Sequence, residues 1–196
     1  MSEPGPECDD PLAIGTPIDM SLATSVLLPG QMRGTDFKPH GGIAIDNTKT
    51  NDVDVRTIMD GYLYRGSRYT QDSTLQYMFD FMNSCGVVFR LDHLATLTDE
   101  FMKYADQLPE PKADDSRTTG FSDPIFIKKD TLVATAAGIT NPLNLFFDVG
   151  VYDLRQPNDA SKQLFIKPTR NGSKTKNNRS LRSVGLTSCP TKKGPL

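Results

Sequence analysis

The stretch STLQYMFDFMNSCGVVFRLDHL, residues 73–94, constrains the fold most. Leu75, Tyr77, Phe79 and Phe81 recur at period 2; Asn83 to Gly86 break the run; Val87, Phe89, Leu91 and His93 then resume it. Period 2 puts alternate side chains on opposite faces of an extended strand, so the segment reads as a β-hairpin whose second strand ends near His93. Leu75, Met78, Phe79 and Met82 also satisfy helical spacing, which leaves a helix over residues 73–84 open as an alternative.

The same alternation recurs along the chain. In PHGGIAID, Gly41, Ile43 and Ile45 fall on one face and His40, Gly42, Ala44 and Asp46 on the other. NTKTND ends that strand with turn formers, and VDVRTIMDGYLYRG carries Asp60-Gly61 as a tight-turn signal between two strand-like pieces. DPIFIKKDTLVATAAGITNP and LNLFFDVGVYDLR supply further short strands. The one helical pattern is TDEFMKYADQLPEP, with Thr98 as cap, Phe101, Ala105 and Leu108 on one stripe, and Pro109 as stop. Short strands without βαβ alternation predict a mainly all-β fold, an antiparallel β-sandwich or barrel-like body with a short inserted helix near 98–108.

Charge divides the chain of 196 residues. Residues 167–196 hold eight of the 22 Lys and Arg and no acid, leaving 14 basic against 24 acidic side chains in residues 1–166, net −10. The organisation expected is an irregular lead-in over 1–25, a β domain over 26–166 and a basic, disordered tail over 167–196. Such a tail can meet anionic polymers or lipid; no specific nucleic acid is expected. Asn-x-Ser sequons at 171–173 and 178–180 arise in such a tail by chance. Cys8, Cys85 and Cys189 are too widely spaced for a zinc ribbon or a Cys-x-x-Cys redox motif. No signal-peptide pattern and no apolar run of membrane-spanning length is visible, so a soluble chain is expected.

The order of segments resembles the lysostaphin and LytM-like zinc endopeptidases, of the duplicated hybrid motif fold. The resemblance runs through PHGGIAI, VRTIMDGYL, the hairpin ending LDHLATL, IKKDTLVATAAGIT and NLFFDVGVYD, about residues 26 to 155. In that family H-x-x-x-D and the second histidine of H-x-H hold zinc, while two further histidines flank the activated water. Residues i and i+4 of a strand share a face but lie about 13 Å apart, so a bend or bulge must bring such ligands together.

Carried over by position, His40 matches the first ligand, and Ala44 stands where the aspartate would. Asn144 and Phe146 stand at the H-x-H positions, with Asp148 at the following acid. His93 matches the hairpin histidine and would be the catalytic group of an active form, with Asn144 at the degenerate second position. Catalytic zinc usually has three protein ligands. The resemblance therefore implies a degenerate peptidase-like domain, without a cofactor, that binds an extended peptide, cell-wall glycopeptide or protein partner in a cleft lined by His40, His93, Asn144 and Phe146. The alternative is an active zinc-dependent endopeptidase with a rearranged ligand set. His40 and Asp46 are its first metal candidates, though Asp46 lies about 6–7 Å too far along a regular strand; Asp92, Asp148 and Cys85 are further possible donors. A domain that only packs within a larger assembly is the third reading. The resemblance suggests an extracellular or cell-envelope setting.

Overall fold

The computed structural model describes residues 13–33, 35–38, 40–46, 49–140, 143–154, 165–168 and 184–187. Its first strands are β1 (Ala13–Ile14), β2 (Ser25–Leu27), β3 (Gln31–Arg33), β4 (Asp36–Lys38), β5 (Gly41–Ala44) and β6 (Asp52–Arg56). Long strands β7 (Gly61–Gln71), β8 (Thr74–Met82) and β9 (Val87–Leu97) follow, then the helix α1 (Asp99–Ala105). The remaining strands are β10 (Lys112–Ala113), β11 (Thr119–Ile127), β12 (Leu132–Ala137), β13 (Ile139–Thr140), β14 (Leu143–Asn144), β15 (Phe146–Asp153), β16 (Phe165–Pro168) and β17 (Val184–Thr187).

The fold is mainly β. A ten-stranded sheet runs in the order β10-β7-β8-β9-β15-β5-β2, with β11 also paired to β7, and β12 bridging β9 to β6. Its pairings are antiparallel except for the short parallel contact of β10 with β7. No closed barrel forms among the described residues. A small second sheet joins β1, β17 and β16, so the described parts of residues 167–196 include strand pairing; the rest of that segment lies outside the described residues.

The 73–94 segment forms the hairpin, and the helical alternative for 73–84 is not taken: β8 is paired on both edges, to β7 and β9. Its turn is held by Asn83, whose Oδ1 accepts from the backbone N–H of Cys85 at 3.2 Å and Val87 at 2.8 Å. The β7–β8 hairpin turns on Asp72 and Ser73, both at positive φ, the backbone region of primed two-residue turns. Asp60-Gly61 does not join a paired hairpin. β6 pairs with β12 rather than β7, and Asp60 Oδ1 instead accepts from Lys129 N at 2.7 Å, tying two loops together.

Phe79, Phe81, Phe89, Leu91, Phe147, Val149 and Val151 fill one face of the sheet and are fully or nearly fully buried. Phe81 and Phe89 stack with centroids 4.5 Å apart, and Phe101 of α1 packs on Phe79 at 5.6 Å. Thr98 caps the helix by accepting from Phe101 N, which aims Phe101 and Ala105 at this core. Residues from the lead-in, Ile14 and Ile18, join the same core. Truncating such a buried Phe to Ala costs about 3–5 kcal/mol, so this face fixes the position of everything built on the other.

Candidate functional site

The opposite face of the sheet is polar yet largely buried. Cross-strand partners share a face, so the register places Tyr69 opposite Gln76, Arg65 opposite Asp80, Asp80 opposite Arg90, and Asp92 opposite Asp148. Asp148 in turn lies opposite Gly42 of β5. Two like charges directly opposed across strands are unfavourable unless other groups compensate them.

The compensation depends on a bulge. Between the pairs Tyr77↔Leu94 and Phe79↔Leu91, β9 holds one more residue than β8. His93 takes φ +62°, a left-handed conformation rare for a side-chain-bearing residue. Here β9 also exchanges partners: residues 87–92 pair with β15 and residues 94–97 with β12. The His93 carbonyl accepts from Gly138 N at 2.8 Å across this fork. The simple alternation put His93 with Leu91 and Phe89 on the apolar face. The bulge instead turns it to the side of Asp92, because the extra residue resets the alternation.

His93 is held there from several directions. Its Nδ1 lies 2.6 Å from Gln76 Oε1 and 3.2 Å from the Tyr69 hydroxyl, which donates to Asp92 Oδ1 at 2.6 Å. Asp92 Oδ1 also accepts from His93 N at 2.8 Å. With Gln76 Oε1 accepting from Nδ1–H, the Nε2 edge is turned towards Asp148, whose Oδ2 lies 3.6 Å away. His40 Nε2 approaches the same Oδ2 to 2.6 Å. Two imidazoles thus converge on one carboxylate oxygen, with His40, His93 and Asp148 side chains 15%, 21% and 9% exposed.

Gly42 makes room for this arrangement. A Cβ there would stand 2.8 Å from Asp148 Oδ1 and 3.4 Å from the Phe146 ring, so a side chain would displace the carboxylate. The glycine beside His40 therefore serves close approach within the sheet, as its strand context suggests.

Electrostatics follow the contacts. Burial opposes ionisation of Asp148, but hydrogen bonding and charge from His40 and His93 overcome it and hold the carboxyl well below its usual 3.8. Burial likewise pulls the His93 imidazolium down, and Asp148 and Asp92 together outweigh that and raise it above 6.5. Burial, then the Asp92 carboxylate, push the Tyr69 phenol far up, so it remains a hydrogen-bond donor.

The other candidates lie elsewhere. Asp46 is exposed and bonded to Thr24 Oγ1, away from the cluster. Asn144 is exposed on β14, opposite Ile139. Phe146 is half-buried beside Asp148, over Gly42. Cys85 is disulfide-bonded and so offers no thiolate; Cys8 and Cys189 lie outside the described residues. Tyr69 and Gln76 were not legible as site residues. Their signal was the Asp72-Ser73 turn, which fixes the hairpin register and places the two opposite each other beside His93.

A surface pocket lined by Ser67, Arg68, Glu110, Lys112, Asp115 and Arg117 lies along β7 and the loops after α1. Its arginines are engaged locally: Arg68 donates to Pro109 O and Glu110, Arg117 to Asp115. No group of three or more His, Cys, Asp or Glu is disposed to hold a metal ion among the described residues. No helix among them is long and apolar enough to cross a membrane. Comparison with protein-family models, curated proteins and solved structures gives no match for this chain.

Proposed function

We propose that the polar sheet face is a binding site for an extended peptide, organised by the His40–Asp148–His93 cluster, and that the domain acts by binding rather than cleavage. The observation that carries this reading is the convergence of two imidazoles on one carboxylate oxygen, held partly exposed by the bulge at His93. Imidazole and carboxylate groups suit the N–H and C=O groups of an extended main chain, and Phe146 beside them offers an apolar wall. The resemblance in segment order to lysostaphin-like enzymes supports a peptide or cell-wall glycopeptide as ligand, on a degenerate site: Ala44 brings no donor atom, and Phe146 is apolar. The disulfide at Cys85 supports an oxidising compartment, such as the cell envelope or exterior.

A second reading rests on the same atoms. Two imidazoles and a carboxylate form a donor set of the kind zinc takes, and Gln76 holds His93 through Nδ1 as outer partners hold metal-ligating histidines. On that reading His40, His93 and Asp148, which here touch one another rather than stand around a common point, would have to part to hold zinc, which would supply Lewis-acid chemistry for peptide hydrolysis.

One experiment separates them. The protein, purified without chelator, is assayed for zinc content and for cleavage of N-acetyl-tetraalanine and of a soluble cell-wall glycopeptide, with and without added zinc. The binding reading expects shifts of the His40 and His93 imidazole resonances on peptide addition, weakened in His40→Ala, and no cleavage. One zinc per chain, with cleavage lost in both His40→Ala and His93→Ala, would establish the hydrolase instead.

A further inference from the structure

A second charged cluster shares the polar face. Asp80, fully buried, accepts from Arg65 Nε at 2.5 Å, from Arg90 Nε at 2.7 Å and from a terminal Arg90 nitrogen at 2.9 Å. One carboxylate between two guanidiniums leaves a net charge of +1. The Arg65 and Arg90 side chains are 40% and 21% exposed, and each guanidinium has more N–H donors than Asp80 takes, with the Tyr64 side chain also in hydrogen-bond reach of Arg65.

Sequence irregularities hold these donors in place. Between Leu63↔Phe81 and Arg65↔Asp80, β7 holds one extra residue, Tyr64, and the Arg65 guanidinium lies 5.1 Å from the centre of the Tyr64 ring. Opposite Arg90 stands Gly150, and a Cβ there would meet the Tyr152 ring at 2.6 Å. The missing side chain thus lets Tyr152 fold over the sheet beside Arg90. Two fixed guanidiniums flanked by tyrosines offer planar, bidentate donors matched to a carboxylate.

Position along the strands ties this cluster to the first. Arg90 and Asp92 are two residues apart on β9, as are Gly150 and Asp148 on β15, so the clusters are separated by about 7 Å along the sheet. That is about two residues of an extended peptide. The first cluster offers carboxylates and imidazoles; the second offers surplus positive charge.

We propose that Arg65 and Arg90 form a carboxylate subsite that takes the free C-terminus of the bound peptide, about two residues from the group lying on the His40–Asp148–His93 cluster. This rests on the peptide-binding reading and narrows it to peptide ends. Internal segments of a longer chain would lack the charge that the arginines receive.

The test compares N-acetyl-tetraalanine as the free acid with its C-terminal amide, titrated into the full chain at low salt. The readouts are the arginine Nε–H and the histidine imidazole resonances. The acid is expected to shift both sets and to bind about tenfold more tightly than the amide, the scale of a charge-assisted hydrogen bond. Arg65→Gln should remove most of that preference. Because Arg65 is the more exposed arginine and Arg90 stays on Asp80, this variant tests the subsite without uncovering the buried carboxylate. Equal affinity for acid and amide, with only the imidazole resonances moving, overturns the subsite and leaves peptide binding standing. If neither peptide moves either set, both the subsite and the peptide-binding reading fall.

Discussion

Asp80 and Asp148 occupy the same face of the same sheet, each between two basic side chains, and they differ in what those side chains can do. The arginines on Asp80 keep their protons throughout the ordinary pH range. For Arg90, burial alone would lower the pKa, but the hydrogen bonds and charge of Asp80 raise it further. On Asp148, His93 can release its proton. One cluster is therefore a permanent fixture of charge, and the other is a titratable one built on a strained bulge. Rigid charge suits anchoring a ligand group; adjustable charge suits hydrogen bonding to it.

The largest effect expected from this difference is on stability. Asp80→Ala leaves two guanidiniums around an empty place in a buried sheet face, and neither can neutralise. Loss of one partner from such a buried pair costs about 3–5 kcal/mol, and the partial exposure of Arg65 argues for the lower end. Asp148→Ala is expected to cost less, about 1–3 kcal/mol, since His93 relieves its charge by losing a proton. Urea denaturation of both variants measures the contrast; an equal loss would dissolve it.

A smaller effect should appear with pH. The His93 pKa is raised in the folded state, so its contribution to stability is complete below 6.5 and disappears as pH rises through the folded value. The Asp148 pKa is depressed, so its contribution is present above 3.8 and is lost as pH falls through its folded value. Stabilisation by this cluster is thus greatest between about pH 4 and 6.5. The unfolding free energy should decline from pH 6.5 to 9, and His93→Gln should flatten that decline. A slope unchanged in His93→Gln would show that the cluster does not supply it.

The contrast also marks what could be read from the residues alone. The hairpin at 73–94, the capped helix at Thr98 and the strand at His40 follow from local patterns, because alternation and capping are properties of neighbouring residues. His40 and His93 were recognisable through a resemblance of segment order. Their meeting point was only one option among several: Asp148 stands at the acid after the ligand pair and, with Asp92 and Cys85, among the further possible donors, and it is the β5–β15 register, setting it opposite Gly42, that brings it to His40. Register is set across the sheet. The Asp80 cluster went unread for the same reason, since Arg65, Asp80 and Arg90 come from three strands. The bulge at His93 was likewise hidden, because one extra residue leaves no mark in composition yet reverses the face of its side chain.

That bulge yields the finest test, since it separates the position of His93 from its chemistry. At φ +62° a residue with a Cβ is strained by about 1 kcal/mol, whereas glycine is not. His93→Ala and His93→Gly remove the same contacts with Gln76, Tyr69 and Asp148. If the backbone conformation belongs to the fork between β15 and β12, the glycine variant should be the more stable by about 1 kcal/mol, despite glycine's greater freedom when unfolded. Their denaturation midpoints decide it. An alanine variant as stable as the glycine one would mean that the histidine's own hydrogen bonds hold the bulge open and that the chain relaxes once they are gone. The Asp80 cluster, whose Arg90 lies on β9 ahead of the bulge in the stretch regularly paired with β8 and β15, should retain its arginine resonances in both variants.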